Sequence, residues 1–228
     1  MATAFLLYGA NGFVGEAAAR LAVKTGLQPI LAGRNASQLE ALANELALPY
    51  QVFALDDSTA LDQALKQVSV VLHCAGPYLY TSEPMVNACL RNGVHYLDLT
   101  GEIPVYAAIA ERDAEARARN VMLLPGAGFD VVPTDCLALY LKQRLPSATR
   151  LTLAFRTQGP AGLPPGTQRT MIELIPLAKT YTNVHKANLM FGSCFNEHCR
   201  ETRSYALSTG VTSGRACRSP ELCGQFKS

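Results

Sequence analysis

A glycine-rich segment near the start of the chain constrains its fold more than any other feature. Residues 9–15 read Gly-Ala-Asn-Gly-Phe-Val-Gly, between an apolar run at Ala4–Tyr8 and an amphipathic stretch at Phe13–Thr25. Such a G-x-x-G-x-x-G loop joins the first strand to the first helix of dinucleotide-binding sheets, where the helix N-terminus attracts a pyrophosphate. A tight structural turn in a non-binding α/β protein is the alternative. We predict that the dinucleotide contacts Gly9, Asn11, Gly12, Phe13, Val14 and Gly15.

The first 145 residues alternate short β-rich runs with amphipathic stretches, which is the pattern of a parallel sheet. The predicted strands are Ala4–Tyr8, Gln28–Ala32, Tyr50–Leu55, Val68–Cys74, His95–Leu99 and Val121–Leu124. The predicted connecting helices are Phe13–Thr25, Ser37–Leu46, Ala60–Gln67, Glu83–Arg91 and Pro104–Arg119. The first helix is expected to bury Val14, Ala17, Ala18, Leu21 and Ala22. These elements predict an α/β fold, a Rossmann-type doubly wound parallel sheet over residues 1–145.

The pattern changes after residue 145. A helix at Pro133–Arg144 is followed by a predicted strand at Arg150–Thr157, a Gly- and Pro-rich loop, and a helix from Thr167 to about Tyr181. No hydrophobic period holds from about Asn183 onward. Residues 146–228 are therefore predicted to form part of a second, α+β domain for substrate binding or dimerisation, with an irregular C-terminal tail. An unfinished sheet there would leave an exposed edge, which favours a homodimer.

The end of the second strand distinguishes between the two nicotinamide dinucleotides. NAD-binding domains usually carry an acidic residue there for the ribose 2′-hydroxyl. This chain has Arg34 and Asn35 instead, with no carboxylate before Glu40. Arg34 suits a 2′-phosphate, and Asn35 or Ser37 adds a hydrogen bond, although a solvated arginine at a helix start is the plainer alternative. We predict NADP(H) as the cofactor.

Two further segments are assigned to the cofactor. Asp56 follows the third strand, where it can accept a hydrogen bond from the adenine amino group. Capping of the next helix by Asp56 or Asp57 is an equally supported interpretation. After the fourth strand, the small residues of Ala75-Gly76-Pro77 let the chain pass beside the cofactor.

Candidate catalytic residues follow the carboxyl ends of the later strands, where ligands bind in such sheets. They are Tyr78, Asp98 and Glu102, and Tyr78 is the predicted proton donor because it lies nearest the expected nicotinamide. The acidic residues of these segments also have structural interpretations. Asp98 can cap a turn, Glu102 can lie in the first turn of a helix, and Asp130, in the next polar segment, can hold its loop closed. The Tyr and Lys pair of short-chain dehydrogenases is absent, since none of the nine tyrosines has a lysine four residues later.

Other classes of function are excluded by composition. The net charge of +2, from 20 basic and 18 acidic side chains, gives no nucleic-acid footprint. The most apolar run, Val68–Cys74, is too short to span a membrane. No secretory signal begins the chain, and cysteines in apolar segments are typical of reduced thiols, so we expect a cytoplasmic protein. Cys194, His198 and Cys199 lack zinc-site spacing, and no metal is predicted.

Several motifs in order resemble those of the saccharopine dehydrogenase-like oxidoreductases, in the branch that contains the trans-acting enoyl reductases. The resemblance covers about residues 3–180 and is carried by residues 9–15, 31–34, 74–78, 83–84, 95–102 and 128–135. It implies an NADP-binding Rossmann domain, a following α+β domain, and oxidation or reduction of a small molecule at a C–N or C=C bond.

Members of this family continue well beyond 228 residues, and the family character fades here after about residue 183. The sequence therefore leads us to expect a truncated or frame-shifted product that binds NADPH but turns over slowly or not at all. A non-catalytic NADP(H)-binding protein, truncated or sensor-like, is the alternative to an oxidoreductase.

Overall fold

The computed structural model describes residues 5–129 and 131–149, together with residues 168, 170 and 172. The strand predicted at Arg150–Thr157, the loop that follows it and the tail from Asn183 onward lie outside the described residues. So do Asp130 and all but three residues of the helix predicted from Thr167.

Six parallel strands form one sheet in the order β3-β2-β1-β4-β5-β6. The strands are β1 Phe5–Tyr8, β2 Ile30–Gly33, β3 Tyr50–Val52, β4 Val70–His73, β5 His95–Asp98 and β6 Leu123–Leu124. The chain reverses its direction of progress across the sheet between β1 and β4, which is where doubly wound sheets bind dinucleotides. This arrangement confirms the predicted Rossmann-type fold class.

Seven helices are described. They are α1 Phe13–Lys24, α2 Ala36–Leu46, α3 Ser58–Leu65, α4 Tyr78–Asn92, α5 Ile103–Ala110, α6 Asp113–Ala118 and α7 Val132–Arg144. Each of the first six lies between two consecutive strands, as the crossover connections of a parallel sheet require.

Two of the predicted helix boundaries are wrong. Helix α4 begins at Tyr78 rather than near Glu83, because a side chain from a distant part of the chain caps its first turn. The single helix predicted over Pro104–Arg119 is two helices, which meet at Arg112. There the Arg112 side chain reaches across to α4, donating to Asn87 Oδ1 at 2.7 Å.

The buried face of α1 also differs from the prediction. Val14, Ala17 and Leu21 are exposed, whereas Ala22 is buried as predicted and the helix also buries Gly15 and Ala19. The cause is the close approach of α1 to the glycine loop: a Cβ on Gly15 would overlap the carbonyl oxygen of Gly9. Contact through glycine and alanine turns the larger residues of α1 toward solvent.

Apolar clusters cover both faces of the sheet, so adjacent residues of one strand enter different cores. On β1, Leu6 belongs to the cluster beneath α3, α4 and α5, and Leu7 belongs to the cluster beneath α1 and α2. Neither side chain is exposed to solvent. Full burial of a leucine contributes about 1.5–3 kcal/mol to stability. The two-sided burial explains why the central strands read as continuous apolar runs.

Candidate functional site

The glycine loop is pressed between the ends of β2 and β4. Gly9 has a φ of +82°, and its N–H and that of Ala10 both donate to the carbonyl of Ala32, at 2.7 and 3.1 Å. A Cβ on Gly9 would lie 2.9 Å from the Cβ of Ala75. These contacts hold the loop in one position at the point where the sheet changes direction, and only glycine fits there.

The N-terminus of α1 has the features of a phosphate cradle. Gly12 is the N-cap residue, and no side chain caps the first turn of the helix. A Cβ on Gly12 would meet only the carbonyl oxygen of Gly9, at 3.2 Å, among atoms within 4 Å. Phe13 and Val14 follow it and are exposed. An uncapped helix start with a glycine at its entrance fits the pyrophosphate of a dinucleotide.

The segment after β2 presents the predicted 2′-phosphate ligands at the surface. Arg34 is exposed, and no carboxylate within the described ranges lies at ion-pair distance from it. Asn35 is the N-cap of α2, and its Oδ1 accepts hydrogen bonds from the Gln38 N–H at 3.2 Å and from Ser37 Oγ at 3.0 Å. Asn35 therefore shapes the turn that carries Arg34.

Gln38 is a residue of this site that the sequence patterns did not indicate. Its Oε1 accepts a hydrogen bond from Asn11 Nδ2 at 2.9 Å, which joins the glycine loop to the first turn of α2. The position of Asn11 also explains why residue 33 is a glycine, because a Cβ on Gly33 would lie 2.8 Å from Asn11 Oδ1. The i+3 spacing from Asn35 to Gln38 is the available sequence signal, since it is the spacing of a capping box.

The two aspartates after β3 have different roles in the structure. Asp57 caps α3, accepting the Ala60 N–H at 3.0 Å, so the capping role belongs to Asp57. Asp56 is exposed beside the end of the strand. Burial raises the pKa of Tyr8 to about 12; the charge of Arg34 opposes this rise and the charge of Asp56 adds to it. The charges of Asp56 and Arg34 thus both affect Tyr8, at the same end of the sheet.

Residues 75–77 form the turn from β4 into α4, against the glycine loop. Ala75 touches Gly9, and the Ala75 carbonyl accepts a hydrogen bond from Thr81 Oγ1 at 2.6 Å. The peptide between Gly76 and Pro77 is cis. The small residues predicted to pass beside the cofactor therefore do lie at the edge of the predicted cradle.

Tyr78 is a buried residue at the start of α4. Its hydroxyl donates to the carbonyl of His73 at 3.2 Å, and its ring lies edge-on to the His73 imidazole. Burial, reinforced by the nearby Cys74 and Asp98, raises the pKa of Tyr78 well above the usual tyrosine value. The phenol is thus bonded to the sheet and is a weak acid.

Asp98 is fully buried at the end of β5. Its Oδ1 accepts the N–H groups of Thr100 at 3.0 Å and Gly126 at 2.8 Å, and its Oδ2 accepts the Tyr96 hydroxyl at 2.7 Å. Burial raises the pKa of Asp98, and these three hydrogen bonds oppose the rise. The carboxylate fastens the loop after β6 to the end of β5.

Glu102 is also buried, at the N-cap position of α5. Its two carboxylate oxygens accept the backbone N–H groups of Tyr78 at 2.8 Å and Leu79 at 2.7 Å. A carboxylate at a helix N-terminus satisfies donors that have no partner within the helix and interacts favourably with the helix dipole. Glu102 therefore anchors the helix that begins at Tyr78.

His73 and Tyr96 complete the same buried cluster. His73 pairs with Tyr8 and with Asp98 across the neighbouring strands, and its Nδ1 lies 3.2 Å from the Tyr96 hydroxyl. Because that hydroxyl donates to Asp98, a chain of hydrogen bonds runs from His73 through Tyr96 to Asp98. Burial lowers the pKa of His73 to about 3. His73 is therefore a buried histidine of the core.

Comparison with known proteins assigns the family. Residues 5–124 match the saccharopine dehydrogenase NADP binding domain, which is more than half of the chain. The chain belongs to this family. Its cofactor is therefore NADP(H), and the uncapped start of α1 with its glycine cradle fits that cofactor.

Relatives of the family domain include named oxidoreductases. The human saccharopine dehydrogenase-like oxidoreductase is 26% identical over 181 residues, covering 69% of this chain and 42% of that protein. The trans-acting enoyl reductase of Mycobacterium leprae is 34% identical over 148 residues, covering 61% of this chain and 35% of that protein. The chain thus spans less than half the length of these relatives, both of which are named as oxidoreductases or reductases.

A solved structure supports the fold. Apo saccharopine dehydrogenase (L-Glu forming) from Saccharomyces cerevisiae superposes with a TM-score of 0.56 at 21% identity, covering 66% of this chain and 33% of that one. Among the helices that the structure describes, none has the length and apolar character needed to cross a bilayer.

Proposed function

We propose that this chain is an NADP(H)-dependent oxidoreductase of the saccharopine dehydrogenase-like type, acting on a C=C or C=N bond of a small molecule. The bound cofactor would supply or accept the hydride. The contact between the glycine loop and the β4–α4 turn, at Gly9 and Ala75, carries the proposal. It brings the phosphate cradle and the buried cluster behind Tyr78 to one edge of the sheet, where an oxidoreductase needs cofactor and substrate together.

The cofactor-binding residues follow from their places in the sheet. Residues 9–15 would hold the pyrophosphate, Arg34 and Asn35 the 2′-phosphate side, and Asp56 the adenine. Residues 75–77 would face the nicotinamide half, because they lie across the glycine loop from β2. The pyrophosphate would be held by backbone N–H groups, and the 2′-phosphate by a charged side chain.

We further propose that Tyr78, Asp98 and Glu102 act by positioning rather than by proton transfer. Their polar atoms bind backbone groups or a neighbouring tyrosine, and all three are buried. The catalytic roles that the sequence suggests for them are replaced in this proposal. Glu102 would hold the start of α4, and Asp98 would hold the loop after β6, so that the edge facing the substrate keeps its shape.

The experiment is a test of NADPH oxidation against a panel of enoyl and imine substrates, followed by the absorbance of the reduced nicotinamide. Substrate-dependent oxidation supports the proposal. For Tyr78→Phe we expect kcat to fall less than about tenfold with an unchanged pH profile, whereas loss of a general acid costs about 10²–10⁴-fold and removes a limb of that profile.

A second candidate function is favoured by the same buried contacts. Because the three candidate catalytic side chains bind the protein itself, the chain would also suit non-catalytic NADP(H) binding, as in a sensor. Tight NADPH binding without oxidation by any substrate class in the panel would select this second function.

We also propose a cytoplasmic location for this protein. Cys74, Cys89 and Cys136 are free thiols in the described part of the chain. Free thiols are maintained in reducing compartments, which supports the predicted cytoplasmic location.

A further inference from the structure

Three hydrogen bonds tie the glycine loop to the segment that carries Arg34. Two are backbone bonds from Gly9 and Ala10 to Ala32, and the third is the side-chain bond from Asn11 to Gln38. The backbone bonds are what any loop following β1 can make. The Asn11–Gln38 bond depends on side chains, and it is the one that reaches past Arg34 to α2.

Gln38 and Asn11 form a pair of side-chain amides in which Gln38 supplies the oxygen. The Gln38 oxygen accepts from Asn11 Nδ2 at 2.9 Å, so the –NH₂ group is the opposite end of the same amide. Within the residues that the structure describes, no acceptor is bonded to that –NH₂ group. An amide whose oxygen is already occupied presents donors, and donors are what a phosphate requires.

The neighbouring polar side chains are already bonded. Asn35 Oδ1 accepts from both Gln38 N–H and Ser37 Oγ, so Asn35 and Ser37 are paired with each other and with the first turn of α2. Gln38 and Arg34 are both exposed. Arg34, Gln38 and the Nδ2 group of Asn35 all present donors to solvent, and among these residues Gln38 is the one that is also bonded to the glycine loop.

We infer that Gln38 is a specificity-determining residue for the 2′-phosphate of NADP, with Asn11 as the residue that orients it. The inference rests on the proposed placement of the 2′-phosphate beside Arg34. Gln38 adds a neutral donor next to the guanidinium, and a carboxylate at the same position would repel the phosphate. Binding of the rest of the dinucleotide should stay the same as long as position 38 keeps an acceptor for Asn11.

The test uses the full chain and two fragments, 2′,5′-ADP and 5′-ADP, with calorimetry at fixed salt in phosphate-free buffer. For Gln38→Leu we expect about fivefold weaker binding of 2′,5′-ADP and a smaller loss for 5′-ADP, because this variant also removes the bond from Asn11 in the glycine loop. Gln38→Glu keeps an acceptor for Asn11, so the loop bond survives, and we expect more than tenfold weaker binding of 2′,5′-ADP alone. Melting temperatures without ligand check that both variants fold.

Gln67→Leu is the matched control, because Gln67 also accepts an exposed amide–amide bond, from Gln51 at 3.3 Å. It should leave both affinities unchanged. Equal losses for the two fragments in the Gln38 variants, or no loss, would overturn the inference while the NADP site stands. A wild-type protein that binds 2′,5′-ADP no better than 5′-ADP would instead overturn the proposed 2′-phosphate site, and the inference with it.

Discussion

The side-chain carboxylate of Glu102 accepts the backbone N–H of Tyr78 at 2.8 Å, although the two residues are 24 positions apart in the chain. Its second oxygen accepts the next N–H of the same helix, from Leu79. The loop after β5 thereby fixes where α4 begins. The start of α4 is also the end of the turn that touches the glycine loop, so this buried contact links the stability of the sheet edge to the shape of the cofactor site.

Replacing Glu102 should destabilise the protein and weaken NADPH binding together. Glu102→Ala leaves one buried and one partly buried N–H group without their charged acceptor, so we expect the free energy of unfolding to fall by about 3 kcal/mol, and by about half as much in Glu102→Gln. Urea denaturation followed by circular dichroism measures the loss. Glu83→Ala, an exposed glutamate of α4, is the control and should change stability by less than about 0.5 kcal/mol. Similar losses at both positions would show that Glu102 does not anchor α4.

A methyl group at Gly15 should disrupt the cradle, because it would overlap the Gly9 carbonyl, which belongs to the backbone and has little freedom to move. We expect Gly15→Ala to cost about 3 kcal/mol of stability and at least tenfold in NADPH affinity. The control is Gly26→Ala at φ +80°, where no atom lies within 4 Å. It should cost about 1–2 kcal/mol through backbone strain alone and leave NADPH affinity intact. Undiminished NADPH binding by Gly15→Ala would contradict the proposed cradle.

Arg34→Ala should remove most of the preference for NADPH over NADH. A hydrogen bond from a guanidinium to a phosphate corresponds to about a tenfold to hundredfold difference in affinity. We therefore expect NADPH binding to weaken by that factor and NADH binding to stay nearly constant, as measured by fluorescence titration of the reduced nicotinamide. Arg117→Ala, at an exposed arginine of α6, should affect neither affinity. Equal affinity of the unmodified protein for both dinucleotides would remove Arg34 from the site.

His73 should make the protein acid-sensitive. Its pKa in the folded protein is about 3, against about 6.5 when unfolded, so the unfolded chain takes up a proton that the folded protein refuses. Stability from this group is complete above pH 6.5 and declines as pH falls toward 3, by about 1.4 kcal/mol per pH unit. The raised pKa of Asp98 acts in the opposite sense above about pH 4.

A comparison with His73→Gln isolates the histidine. Urea denaturation between pH 8 and pH 5 should show a steeper fall of unfolding free energy in the unmodified protein than in the variant below about pH 6.5. Parallel curves would mean that His73 is accessible to protons in the folded state.

Sequence patterns alone were sufficient for the predictions that rest on local order. Hydrophobic patterns predicted six strands along the chain, because burial on both faces of a parallel sheet makes each strand a short apolar run. The glycine loop and Arg34 were predicted as cofactor ligands from short motifs, since each motif lies within one segment of the chain, and they remain predictions. The structure bears out the fold, and the family comparison bears out the cofactor.

Tertiary structure decided which residues meet. The capping of α4 by Glu102, the pairing of His73 with Asp98 and the bond between Asn11 and Gln38 all join separate segments. Such contacts depend on strand neighbours and register, which no local pattern encodes. The boundary of α4 was mispredicted because Glu102, 24 residues away, caps the start of that helix. The face of α1 was mispredicted for a different reason, because Gly15 packs against the backbone of Gly9 and hydrophobic periodicity does not report such a contact. Local sequence thus determined the elements, and long-range hydrogen bonding and packing determined the site.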